Sequence, residues 1–201
     1  MLDARLRPLI DPPLDRLAMR LVNAGWTADG ITITGFAIGF LAFLAIAFEA
    51  YLLGLVLIVA NRLADGLDGA VARRTSKTDR GGFLDISLDF IFYASVPFAF
   101  ALADPAANAL GAAFVIFSFI GTGCSFLAYA IMAEKRGITT DIQGQKSLYY
   151  LGGLTEGTET LLFLMIACLL PGWFPVLAFG FGTLCWITTA TRIYAGWRTF
   201  S

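Results

Sequence analysis

Residues 51–103 read YLLGLVLIVANRLADGLDGAVARRTSKTDRGGFLDISLDFIFYASVPFAFALA. The two flanks of this stretch, residues 51–71 and 83–103, are apolar runs of the length that crosses a bilayer, which takes about 20 residues. Between them they carry Asp65, Asp68, Asp85 and Asp89. An ionised side chain at the bilayer centre costs roughly 2.5–3.5 kcal/mol on insertion scales, so four bare carboxylates would be prohibitive. Asp65 and Asp68 are spaced i,i+3, and Asp85 and Asp89 i,i+4, so each pair shares one helix face. The connection over residues 72–82 folds the two helices antiparallel and lets those faces meet. Four facing carboxylates repel unless cations lie between them. Hard divalent ions with oxygen ligands meet that need, and two ions about 3.5–4 Å apart form a phosphoryl-transfer clamp.

Working outward, the pattern predicts an all-α membrane protein of six transmembrane helices. The spans cover residues 30–48, 51–71, 83–103, 109–132, 149–170 and 174–196. A short amphipathic helix over residues 14–23 is expected to lie at the membrane surface before them, with Arg16 and Arg20 on its polar face. The chain reads as a single domain, residues 1–201, with an interfacial segment over 1–26 and the bundle over 27–201. No cleavable leader is expected, because Arg5, Arg7 and Pro12-Pro13 occur without an apolar core. Lys and Arg cluster before the first span, between the second and third, between the fourth and fifth, and after the sixth. The opposite loops carry Glu49 and Asp104 and no base. The charge bias predicts that both termini and the aspartate cluster face the cytoplasm.

Composition supports this reading. The chain is 58% hydrophobic and only 14% charged, against about 25% charged in soluble domains, and its mean hydropathy is +0.75. A net charge of -1 gives no case for nucleic acid. The three cysteines, Cys124, Cys168 and Cys185, are scattered through apolar segments and read as inert thiols. There is no histidine. A metal site must then be built mainly from oxygen, and a general base is close to being forced onto a carboxylate.

Two plainer readings of the aspartates stand beside the metal site. Arg62 and Arg73 would hold the acids as buried salt bridges, or the acids would line a cation pathway in a transporter or channel. Neither gives a role to Gly66, Gly69, Ala70, Ala72, Gly81 and Gly82, small residues that admit a ligand closely.

Asp65-Gly-Leu-Asp68-Gly69-Ala-Val-Ala72-Arg73 followed by Gly81-Gly-Phe-Leu-Asp85-Ile-Ser-Leu-Asp89 resembles the signature of CDP-alcohol phosphotransferases, D-x2-D-G-x2-A-R-x8-G-x3-D-x3-D. The spacer between Arg73 and Gly81 is one residue short of that pattern. Ala28-Asp29-Gly-Ile-Thr32 is similar to the family's P-N-x-x-T entry motif, with Asp29 where Asn is usual. The run over residues 149–160 looks like that of a proteobacterial inner-membrane subgroup.

The resemblance implies metal-dependent transfer of a phosphoalcohol group from a CDP-alcohol, such as CDP-diacylglycerol, to an acceptor hydroxyl, with release of CMP. It makes Asp65, Asp68 and Asp85 ligands of Mg2+ or Mn2+, expected as two ions. Asp89 becomes the base on the acceptor and a contact to the second ion. The resemblance lays Asp29, Thr32, Asp65, Gly69, Ala72, Arg73 and Gly81 along the CDP group. It places the enzyme in the bacterial inner membrane in phospholipid synthesis, with lipid as its surroundings and a homodimer expected. Gly35 and Gly39 allow dimer packing or packing within one chain.

On the acceptor side, Arg136, Lys146 and Arg192 either bind an acceptor phosphate or serve topology and lipid headgroups. Glu156 and Glu159 inside the fifth span either line the acceptor pocket or pair with Lys146 or Arg192. Ile86 after Asp85, where phosphatidylglycerophosphate synthases usually show Pro, argues against glycerol phosphate as the acceptor.

Overall fold

A computed structural model describes residues 3–138 and 153–201, with side chains from residue 11 onward. The described residues form helices and no strand. The helices are α1 (Asp3–Asn23), α2 (Ala28–Ala47), α3 (Tyr51–Arg74), α4 (Asp79–Ala103), α5 (Pro105–Lys135), α6 (Gly157–Leu169) and α7 (Phe174–Thr199), with a 3-10 turn at Pro171–Trp173.

Local chemistry sets several starts. Thr27 and Thr78 sit in extended backbone and accept from the amides of Gly30 and Gly81, capping α2 and α4. Asp104 caps α5 by accepting from Ala107 N at 3.0 Å, and Pro105 fills the first turn, where no amide donor is needed. Helices α2, α4, α5 and the segment Pro171–Thr199 are long and apolar enough to cross a membrane. Their outward side chains are bare, as in Phe48 at 81% exposure and Leu110 at 73%. In a chain this apolar such a surface belongs against lipid. Trp26, Trp173 and Trp197 are exposed near helix ends, as interface anchors would be.

Several expectations change. α1 begins at Asp3, well before residue 14, and runs through Pro12-Pro13. Proline holds a helical φ, and both residues are exposed, so carbonyls left without amide partners can meet solvent. The helix does not merely lie on the surface. Ala18 is fully buried with Ile31, Ala70 and Val71, and Asp15 approaches Arg74 at 3.5 Å and Arg73 at 4.0 Å. The connection between α3 and α4 is residues 75–78, shorter than the expected 72–82. The fifth apolar segment is helical only from Gly157, and its 13 residues span about 20 Å at 1.5 Å each. The start of that predicted span, residues 149–152, lies outside the described residues. α3 is long enough at 24 residues, but its charges keep it out of the set of four apolar helices. Cys168 and Cys185 are buried as expected, while Cys124 is exposed.

Helix α2 packs against both α3 and α4 and acts as their common strut. Gly35 and Gly39 make this possible. A Cβ on Gly35 would stand 2.9 Å from Ala64 Cβ of α3. A Cβ on Gly39 would stand 2.7 Å from Phe92 Cδ2 of α4 and 3.0 Å from Asn61 Nδ2 of α3. The glycine pair therefore serves packing within the chain. Gly39→Ala is expected to destabilise the fold by about 1–3 kcal/mol through overpacking, read as a lower unfolding temperature in detergent. Further along, Ala42, Ile46, Ile58, Phe92, Phe100 and Phe174 form the centre of the main core, with the Phe100 and Phe174 rings stacked at 4.4 Å.

Candidate metal and nucleotide site

The four aspartates converge where α2 joins α3 to α4. One carboxylate oxygen each from Asp65, Asp68 and Asp85 lies within 4.8 Å of the others. Asp68 is 6% exposed, and its Oδ2 accepts from Thr32 Oγ1 of α2 at 2.6 Å. Thr32, expected along the CDP group, thus makes a direct contact to an aspartate of the cluster.

Asp89 joins the group through a cation. Arg62 Nη2 donates to Asp89 Oδ1 at 2.8 Å, and Arg62 Nη1 lies 3.6 Å from Asp65 Oδ2. All four acids and Arg62 line one cleft that also includes Thr32 and Phe36. One guanidinium cannot balance four carboxylates, so the cluster calls for further positive charge. Three converging hard oxygens, with no sulfur or imidazole in the set, suit a divalent ion such as Mg2+ or Mn2+. The salt-bridge reading is thus half right. Arg62 does bridge two of the acids, but Arg73 turns away toward Asp15.

The remaining expected nucleotide residues flank this centre. Asp29 accepts from Arg80 Nε at 2.9 Å and from its Nη2, which ties the start of α2 to the start of α4. A Cβ on Gly81 would stand 3.1 Å from Asp29 Oδ1, so the glycine admits that contact. Gly69 and Ala72 lie one and four residues beyond Asp68 on α3, with Ala72 half-buried.

The expected acceptor residues are placed differently. Arg136 closes the end of α7, donating to Phe200 O at 2.6 Å and Thr199 O at 3.4 Å and lying over the Phe200 ring. Arg192 is 8% exposed, donates to Thr122 O at 3.2 Å and lies 5.8 Å from the Phe126 ring centre. Glu156 and Glu159 form a capping box at the start of α6, in which Glu156 N donates to Glu159 Oε2 at 3.1 Å. Lys146 lies outside the described residues.

Sequence reasoning did not foresee the scaffold behind Asp89. Asn61 Nδ2 donates to Gly35 O at 2.8 Å, and Asn61 Oδ1 accepts from Arg62 Nε at 2.8 Å. Arg62 also donates to Tyr93 Oη at 3.0 Å. An ionisable group within a span is itself a signal, but its long-range partner is not readable from spacing.

The chain is similar to known proteins in sequence and in fold. A family model described as CDP-alcohol phosphatidyltransferase fits residues 26–194. Inner membrane protein YnjF of Escherichia coli (strain K12) is 55% identical over 199 residues, covering 99% of this chain and 97% of that protein. An archaetidylinositol phosphate synthase of Pyrococcus horikoshii is 28% identical over 197 residues, covering 95% of this chain and 94% of that protein. The fold matches the crystal structure of Mycobacterium tuberculosis phosphatidylinositol phosphate synthase in complex with manganese and citrate. That match has a TM-score of 0.73 at 22% identity, covering 92% of this chain and 88% of that one. The same enzyme with CDP-DAG bound matches with a TM-score of 0.68 at 22% identity, over 92% and 93%. With its model match, its aspartate signature and its apolar helices, the chain belongs to the CDP-alcohol phosphatidyltransferase family of membrane enzymes.

Proposed function

We propose that this protein transfers a phosphatidyl group from CDP-diacylglycerol to the hydroxyl of an acceptor alcohol and releases CMP, in phospholipid synthesis at a bacterial inner membrane. The observation that carries the reading is the convergence of Asp65, Asp68 and Asp85 oxygens within 4.8 Å beside Asp89. The relatives add support: one bears an inner-membrane name, another is an archaetidylinositol phosphate synthase, and a structural neighbour holds CDP-DAG.

Asp65, Asp68 and Asp85 would hold the divalent metal, Mg2+ or Mn2+, and Thr32 fixes Asp68 in place for that task. When bound, the ion neutralises the diphosphate and stabilises the departing CMP. Asp89 takes the proton of the acceptor hydroxyl, whose oxygen forms a bond to the phosphorus next to the lipid as the bond to CMP breaks. Gly69, Ala72 and Gly81 leave room for the CDP group, with Asp29 and Arg80 at its rim. Arg73 faces Asp15 and lies at the cytoplasmic edge, where a phosphate arrives. Six spans, a single domain and cytoplasmic termini complete the reading. The outward apolar faces and the placement of basic residues support it. A cation-pathway reading would leave Thr32 and the small residues of the signature without a task.

The test is CMP release from CDP-diacylglycerol by purified protein against a panel of alcohols: inositol phosphate, serine, glycerol phosphate and lipid alcohols. The mass of the lipid product names the acceptor. No CMP with any member of the panel would remove this function. Within the same assay, Thr32→Val is expected to weaken Mn2+ binding by roughly tenfold or more, since partners of ligands tune affinity by that much. An unchanged Mn2+ titration would detach Thr32 from the site.

A further inference from the structure

We propose that Arg62 is a positioning residue for Asp89, holding one oxygen of that carboxylate so that the other faces the acceptor hydroxyl. The inference rests on the reading of Asp89 as the base.

Arg62 is anchored on every side that the structure describes. Its Nε donates to Asn61 Oδ1 at 2.8 Å, its Nη1 to Tyr93 Oη at 3.0 Å and its Nη2 to Asp89 Oδ1 at 2.8 Å. The guanidinium carbon lies 4.5 Å from the Phe92 ring centre and 4.9 Å from that of Tyr93. The side chain is 11% exposed. Asn61 is in turn fixed by its 2.8 Å bond to Gly35 O. A chain of hydrogen bonds thus runs from the main chain of α2, through α3, to a carboxylate on α4.

Charge balance alone does not need this. A mobile ammonium would supply the same charge, whereas a planar fork gripped at three nitrogens fixes direction. Arg62 also stands 3.6 Å from Asp65 Oδ2, so one group spans a metal ligand and the base and fixes their spacing. A released Asp89 would no longer be aimed at the acceptor, which would cost the base, while loss of the Arg62 cation from among the carboxylates would leave metal binding intact or tighter.

The test compares Arg62→Gln, Arg62→Lys and Tyr93→Phe with the wild type. It uses full-length protein in CDP-diacylglycerol micelles, with Mn2+ titrations followed by electron paramagnetic resonance. Arg62→Gln is expected to lower kcat by roughly 100-fold, the lower range for a general base, with KM for the donor near wild type. Its Mn2+ affinity should be equal or tighter. Arg62→Lys should stay at least about tenfold below wild type, because the ammonium lacks the fork. Tyr93→Phe removes one anchor and should lower kcat several-fold at unchanged Mn2+ affinity; it carries the test if Arg62→Gln does not fold.

Full activity in Arg62→Lys would reduce Arg62 to charge balance and overturn the inference. So would a parallel loss of Mn2+ and donor binding in Arg62→Gln, or unchanged kcat in Tyr93→Phe. Asp89→Asn run alongside separates the failures. If it keeps turnover, the base reading falls and this inference falls with it. If it loses turnover while Arg62→Gln does not, only this inference falls.

Discussion

Asp68→Asn is expected to lower CMP release by roughly 1,000-fold or more, the scale of losing a dominant electrostatic contact to the reacting phosphate. Asp68 is buried between Asp65 and Asp85, and one of its oxygens already accepts from Thr32. Asparagine has the same shape and still accepts that hydrogen bond, and its amide N–H groups can donate to the neighbouring carboxylate oxygens. The fold should therefore survive. Removing one of several facing carboxylates also relieves repulsion in protein stripped of metal. The variant should unfold in chelator at a temperature no lower than wild type, while Mn2+ binding and donor binding are both lost. Thermal unfolding with and without chelator, beside the CMP assay, checks the two halves together. A variant that lost activity by unfolding would show a lowered melting temperature instead.

Asp89→Asn separates binding from chemistry. Asp89 stands outside the three-oxygen cluster and reaches it through Arg62. Its amide can still accept from Arg62, so the local packing should hold. We expect Mn2+ and CDP-diacylglycerol to bind as in wild type and kcat to fall by roughly 10²–10⁴-fold, the range for a missing general base. A loss confined to kcat is what a group acting on the acceptor proton produces. Equal losses of donor and metal binding would move Asp89 among the metal ligands. Near wild-type turnover would end its role as base.

The contrast between these two variants shows what was readable in the sequence. The aspartate quartet, its two helical pairs and the all-helical membrane fold follow from hydropathy and from i,i+3 and i,i+4 spacing, which are local properties. Helix ends were less readable. α1 begins at Asp3 and not at the expected residue 14, and the apolar run after Gly153 concealed the Glu156 cap that starts α6. Partners distant in the chain were hardest. Spacing placed Arg62 next to Asp65, but its shortest ionic contact is to Asp89, 27 residues away on α4. Arg73 was expected along the nucleotide, yet it and Arg74 meet Asp15 of the N-terminal helix. Arg136 was open to an acceptor phosphate or to lipid headgroups, and spacing did not show that it donates to the end of α7. In each case an isolated charge in the sequence has a donor geometry that only the packing of helices can choose. Gly35 and Gly39 make the same point for shape, since small-residue spacing gives close approach without naming the neighbour.

The most direct measurement is a Mn2+ titration of metal-stripped protein, following bound ion by electron paramagnetic resonance and CMP release from CDP-diacylglycerol in the same samples. We predict no turnover in chelator, recovery that tracks occupancy as Mn2+ is added, and loss of both signals when Asp65, Asp68 and Asp85 are replaced together by Asn. CMP release that persists in chelator, or Mn2+ that stays bound to the triple variant, would contradict the account.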